Sequence, residues 1–214
     1  MAGYKAHLAT GMGVGFAGGL WLILTSSLSL IYFPIILLAT AIGSLLPDLD
    51  SESGRPVRLL FLSLGFVSSS LIGYYLVFTF ETELLRVALV VILVFLFINF
   101  GLRHLFMKYT NHRGIFHSLV AVLILVLSFN GTFLGLEMPL FHSMILSSAL
   151  GIGYLSHLIL DEMNSFINLS GIPFVPKKSL GTALKISTKS LPMNTVIIVL
   201  LTILVYVNVK LIIQ

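Results

Sequence analysis

Cysteine is absent from this chain, which removes disulfides, thiolate catalysis, iron–sulfur clusters and zinc–cysteine knuckles. Charge is scarce as well: 9% of residues are Asp, Glu, Lys or Arg, where a soluble domain averages about 25%. The acids are the rarer sign, eight against twelve bases. What remains is apolar, with 57% of the 214 residues hydrophobic and a mean hydropathy of +1.08. Such a chain cannot cover itself with polar surface, so the expectation is an integral membrane protein. Any metal has to be held by the six histidines, the eight acids or backbone oxygens.

A helix crossing the bilayer needs about 20 mostly apolar residues. Long apolar runs cover 8–30, 58–79, 84–106, 117–136, 140–160 and 193–213, and a shorter one, 34–46, starts at Pro34 and stops at Pro47-Asp48. Ala39-Thr40-Ala41 imitates a signal-peptidase site. The apolar stretch before it exceeds the roughly 7–15 residues of a signal sequence, so it reads as a retained anchor. The expected fold class is therefore all-α: a polytopic membrane helix bundle of about seven segments, one of them short. It forms a single integral-membrane domain over 1–214, with a basic segment at 161–192 inside it.

Counting 34–46 as a crossing places the N-terminus, 47–57, 103–117 and 161–192 at one face. Those segments hold Lys5, Arg55, Arg58, Arg103, Lys108, Arg113, Lys177, Lys178, Lys185 and Lys189, whereas the opposite face keeps only Arg86 and Lys210. Positive loops stay in the cytoplasm, so the first face is expected to be cytoplasmic and the C-terminus to lie on the opposite side. The same parity brings His7, Asp48, Asp50, His112, His117, His157 and Asp161 to that one face, although they lie far apart in sequence.

Each cluster has a plain alternative. In "HLILD", His157 and Asp161 are i and i+4 on one helix face. They suit a shared cation, or a simple Asp–His hydrogen bond. In "PDLD", Pro47 ends the apolar segment, and Asp48 and Asp50 point to one side of an extended stretch. Paired carboxylates repel unless a cation or arginine meets them; the alternative is an ordinary acidic turn. In "HRGIFHS", Gly114 lets the chain break, so that His112 lies in the loop and His117 in the first helical turn. Arg113 beside them has the fork for a phosphate or carboxylate, or is a basic loop residue obeying topology. His104 and His142 read as structural.

Two further stretches are read plainly. Residues 13–18, "GVGFAG", match a dinucleotide-binding glycine pattern, but no strand precedes them. Glycines in a spanning helix normally let neighbouring helices approach closely. The lysines of 175–190 fit topology and attraction to anionic lipid; a cover over the site is the sharper alternative.

The order His7, "LLPDLDS", "HRGIFHSL", "GYLSHLILD" and "GIPFVPKKS" resembles the LexA-regulated, membrane-bound metal-dependent hydrolase family, also called YdjM-like. The resemblance runs from His7 to about Ser190. It implies an inner-membrane protein with a metal site and hydrolase activity, and makes His7, Asp48, Asp50, His112, His117, His157 and Asp161 the metal-site candidates. More distantly, the His/Asp set is similar to that of zinc-dependent phospholipase C and P1-type nucleases. Imidazole and carboxylate ligands without sulfur suit zinc first, with manganese or iron as alternatives. Seven ligands exceed those of one catalytic zinc, so two or more ions are expected.

The expected activity is phosphoester hydrolysis of a membrane lipid or other amphiphile by activated water at the cytoplasmic face. Arg113 would hold the phosphate, and Asp50 or Asp161 would act as general base. The lipid bilayer is both environment and substrate source. No nucleic-acid partner is expected, because the few bases lack aromatic stacking platforms beside them. The rival readings are a divalent-cation transporter and a non-catalytic membrane protein with a structural metal.

Overall fold

The computed structural model describes residues 3–26, 28–50, 55–80, 82–109, 116–167, 181, 184–186 and 190–213. Among them the chain is helical throughout, with no named strand. It divides into two compact units, one of Met1–Pro47 with Arg113–Gln214 and the other of Asp48–His112.

The first unit holds α1 (Tyr4–Thr25), α2 (Tyr32–Gly43), α6 (Leu119–Gly135), α7 (Leu140–Ile167) and α8 (Leu191–Ile213). The second holds α3 (Arg55–Phe80), α4 (Leu84–Leu96), a wide π-helical turn (Phe97–Leu102) and α5 (Arg103–Tyr109). A 3₁₀ turn, Leu46–Asp50, carries the chain out of the first unit. Five stretches are long and apolar enough to cross a membrane: Tyr4–Thr25, Arg55–Thr79, Leu84–Lys108, Leu140–Ile167 and Leu191–Ile213. Their large side chains face outward, Trp21, Leu24, Phe66, Phe78 and Phe97 among them. That is the pattern of a surface wetted by lipid tails.

All seven apolar runs read from the sequence are helical, but two fall short of a full span. α2 has 12 residues and α6 has 17, which at 1.5 Å per residue are roughly 18 and 25 Å long against a hydrocarbon core of about 30 Å. The brevity of α2 was expected; that of α6 was not. Its ends explain it. Ser118 caps the N-terminus by accepting from the Ala121 amide at 3.2 Å, and Glu137 at φ 60° turns the chain back towards α7. The structure thus shows five helices long enough to span and two shorter apolar helices.

Helix α7 is the centre of the first unit. It packs against α1, α2 and α6, and α8 leans on α6. Some 61% of its most apolar stretch is buried, against 17% for α1 and 11% for α8. Lipid tails are as apolar as leucine, so burial alone does not drive such helices together; close backbone approach does. The small residues are placed accordingly. On α1 the buried face is His7, Gly11, Gly15 and Gly19, each one turn after the last. A Cβ on Gly15 would stand 1.9 Å from Thr40 Oγ1, and one on Gly11 would stand 2.4 Å from Ser44 Oγ. Between α2 and α7 the approach is backbone to backbone: a Cβ on Gly43 would lie 2.1 Å from the Leu150 carbonyl oxygen, and one on Gly153 would lie 2.1 Å from that of Thr40.

The close-packing reading of residues 13–18 holds for Gly15 alone. Gly13 and Gly18 meet nothing within 4 Å, because they sit off the four-residue stripe. In the second unit α3 packs on α4, and a core of Val57, Phe61 and Ile98 forms beside the wide turn.

Gly153→Leu should therefore destabilise the detergent-solubilised protein by about 1–3 kcal/mol or more, since the Thr40 backbone has nowhere to move. Gly13→Leu should leave stability unchanged. Thermal unfolding of both variants checks the contrast.

Candidate functional site

Four of the side chains singled out in the sequence meet inside the first unit. His7 enters from the first turns of α1, on the same stripe as Gly11 and Gly15, so the glycine contact with α2 draws it inward. His157 and Asp161 lie one turn apart on α7. His117 stands immediately before Ser118, the N-cap of α6. All four are buried, at 1%, 0%, 1% and 0% exposure for His7, His157, Asp161 and His117.

Each imidazole stands at or just beyond the long end of hydrogen-bond distance from Asp161. Asp161 Oδ1 is 3.4 Å from His7 Nε2, while Asp161 Oδ2 is 3.8 Å from His117 Nε2 and 3.9 Å from His157 Nε2. Ligand atoms of His117, His157 and Asp161 lie within 4.8 Å of one another. Two donors bound to one ion at about 2.0–2.1 Å stand roughly 3.3 Å apart at the tetrahedral angle, and further apart as the angle opens. The cluster has that spacing. Its donors are three imidazoles and one carboxylate, the set that zinc and related divalent ions accept.

Neighbouring groups hold the rings in place. His157 Nδ1 lies 2.7 Å from the carbonyl oxygen of Ser44. A carbonyl only accepts, so Nδ1 carries a proton, and Nε2 is the nitrogen that faces Asp161. This is the usual orientation device of a metal-binding histidine. The ring of His7 stacks on that of His157 with centroids 3.6 Å apart, and His117 meets His157 edge-on at 5.6 Å. His7 Nδ1 is buried with no hydrogen-bond partner among the described residues.

Asp48 is half-buried in the 3₁₀ turn and belongs to the second unit, as does Asp50. His112 and Arg113 lie outside the described residues. His104 is exposed on α5, and His142 stacks on Tyr32 with centroids 4.7 Å apart, both in keeping with structural roles.

Several contributors were not legible in the sequence. Ser44 acts through its carbonyl, which any residue would offer, so no side-chain signal could have shown it. Tyr154 donates its hydroxyl to the Phe116 carbonyl and so ties down the residue before His117. Part of the basic segment crosses the same end: the Leu119 amide donates to the Lys185 carbonyl at 3.0 Å, and the Gly181 amide donates to Glu162. A separate polar cluster lies at the other end of the helices. Asn130 donates to Asn208 Oδ1 at 2.8 Å and accepts from the Ser143 hydroxyl at 2.7 Å, while Asn208 donates to the Leu127 carbonyl at 2.9 Å. Ser143 is 14 residues from His157 on α7, roughly 21 Å along the axis. Asparagines inside apolar runs were the available signal, because polar side chains there cross-link helices.

With this geometry in place, comparison with known proteins settles the relationship. The pattern described as YdjM inner membrane protein matches residues 1–214. The chain belongs to the YdjM family. No curated protein and no solved structure matches it. The YdjM description names an inner membrane protein and nothing of hydrolysis, and the more distant likeness to phospholipase C and P1-type nucleases has no counterpart among these matches. Membership and the apolar helices together establish this YdjM protein as an integral membrane protein.

Tyr154→Phe should keep the fold at a cost of about 1 kcal/mol, the value of one hydrogen bond. It should also speed amide exchange at 116–119. Hydrogen–deuterium exchange in detergent measures this; unchanged exchange would show that the hydroxyl does not hold His117 in place.

Proposed function

We propose that the protein is a membrane-bound metal-dependent hydrolase that cleaves a phosphoester of a lipid or other amphiphile at the cytoplasmic face. The observation that carries this reading is the convergence of His7, His117, His157 and Asp161, all buried, at one end of a membrane helix unit. Ionisable residues within membrane helices are expensive and mark function by default.

A bound divalent ion would supply a Lewis acid for the phosphoryl oxygens and lower the pKa of a water. The chain supplies the rest. His157 is held in one tautomer by Ser44, His117 is positioned through Ser118 and Phe116, and Asp161 offers two oxygens among three rings. In the net reaction water adds to phosphorus, the P–O bond to the leaving alcohol breaks, and the proton passes to that alcohol. Asp161, within the cluster, and Asp50 remain the candidate bases; Arg113 is the candidate phosphate clamp. Zinc is the proposed ion, with manganese or iron as substitutes. The cytoplasmic placement follows from the lysine and arginine bias in sequence.

Elemental analysis of detergent-purified protein beside His117→Ala and His157→Ala tests the site. Wild type should carry zinc or manganese, and each variant should lose it. Phosphate release from phosphatidic acid should require added metal, vanish with chelator, and fall on the order of a hundredfold in either variant. A folded wild type that binds no metal after loading would sink the hydrolase reading.

A further inference from the structure

The first unit contains a cavity of about 640 Å³ lined by α1, α2 and α7. Its walls include Gly15, Gly18 and Trp21 on α1, Thr40 on α2, and Ser148 and Ile152 on α7. Each wall starts near the histidine cluster and runs away from it. Thr40 is one turn before Ser44, whose carbonyl holds His157. Ile152 is five residues before His157, and Gly15 eight after His7, which correspond to about 7.5 and 12 Å along their helices. The groove therefore begins one to two turns from the cluster and continues along the helices into the depth of the bilayer.

Its lining is mostly apolar. The Thr40 hydroxyl is turned onto its own helix, bonded to the Ile36 and Leu37 carbonyls at 3.1 and 3.0 Å. Ser148 is the other hydroxyl on the lining; the remaining walls are aliphatic, aromatic or glycine, and at Gly18 a Cβ would meet nothing within 4 Å. A single hydrocarbon chain fits both the size and the direction, and sites of this volume with apolar linings are ordinary for small ligands.

We propose that this groove seats one hydrocarbon chain of the membrane amphiphile whose phosphoester is presented to the His–Asp cluster. The substrate part of this inference rests on the hydrolase reading; the occupancy part does not. The groove then acts as a ruler for substrate choice. It favours long-chain lipid phosphates over water-soluble phosphoesters, because only a chain of sufficient length can lie between α1 and α7 while the head remains at the cluster.

The test uses phosphatidic acid with a diazirine at the end of one acyl chain, in vesicles of phosphatidylglycerol and phosphatidylethanolamine containing the full protein. Photolysis should give adducts concentrated on 14–22 and 141–152. Gly18→Trp fills the groove and should lower those adducts about tenfold while leaving metal content and adducts on α8 unchanged. Adducts spread evenly over all lipid-facing helices, adducts undiminished in Gly18→Trp, or cross-links joining two copies of the chain at this groove would each overturn the proposal. Turnover separates the two readings. Gly18→Trp should slow cleavage of a dioleoyl phosphatidic acid about tenfold and leave the dihexanoyl homologue within about twofold. An equal loss on both would overturn the ruler. Groove labelling in a wild type without metal-dependent turnover would sink the hydrolase and keep the chain seat.

Discussion

Asp161 lies 1% exposed in a helix whose neighbours face lipid, and a carboxyl group there has to be met by donors or cations. Isolated, it would cost several kcal/mol even after the protein relaxed around it. Three imidazoles surround it instead, from α1, from α7 and from the residues preceding α6. That one requirement ties together elements far apart in the chain, and it fixes which ends of α1, α6 and α7 lie side by side. The rest of the first unit is arranged so that these ends can meet.

The arrangement is made by small residues. Gly11 and Gly15 let α1 touch α2, and Gly43 and Gly153 let α2 touch α7 at the level of the backbone. Because His7 continues the Gly11–Gly15–Gly19 stripe, the packing of α1 delivers a histidine to the cluster without any special local conformation. The carbonyl of Ser44 reaches His157 for the same reason: α2 lies close enough to α7 for a main-chain oxygen to act as a ring partner. Packing and site chemistry are consequences of the same contacts. The groove between α1 and α7 is the complement of this device, the place where Gly18 removes a side chain and no helix fills the space.

The Asn130–Asn208–Ser143 cluster is instructive by contrast. It is buried as well, and its donors and acceptors are matched within α6, α7 and α8. A satisfied amide network holds helices together and has no need of an ion. The histidine cluster instead gathers three imidazoles around one carboxylate at 3.4 to 3.9 Å. Amides in one polar cluster and imidazoles with a carboxylate in the other separate a helix cross-link from a candidate metal centre.

Much of this was legible in the residues themselves. The low charge and long apolar runs pointed to a membrane helix bundle, since a helix satisfies its own backbone in lipid and uninterrupted apolar runs of this length suit helices, not barrel strands. The i, i+4 spacing of His157 and Asp161 placed them on one face, and the charge bias pointed to a shared membrane end for His7 and His117. By itself the sequence determined the class of fold and the approximate positions of the helices, because composition and periodicity act locally along the chain; it offered His7, Asp48, Asp50, His112, His117, His157 and Asp161 together as candidates for one polar end. Only the tertiary structure decided that α6 stops at 17 residues, that Gly11 and Gly15 rather than Gly13 and Gly18 carry the contact with α2, that a serine carbonyl orients His157, and that a groove opens beside the cluster. Those facts depend on which helix faces which, and the distance of a backbone from a neighbour's side chain is set by packing in three dimensions, not by the order of residues.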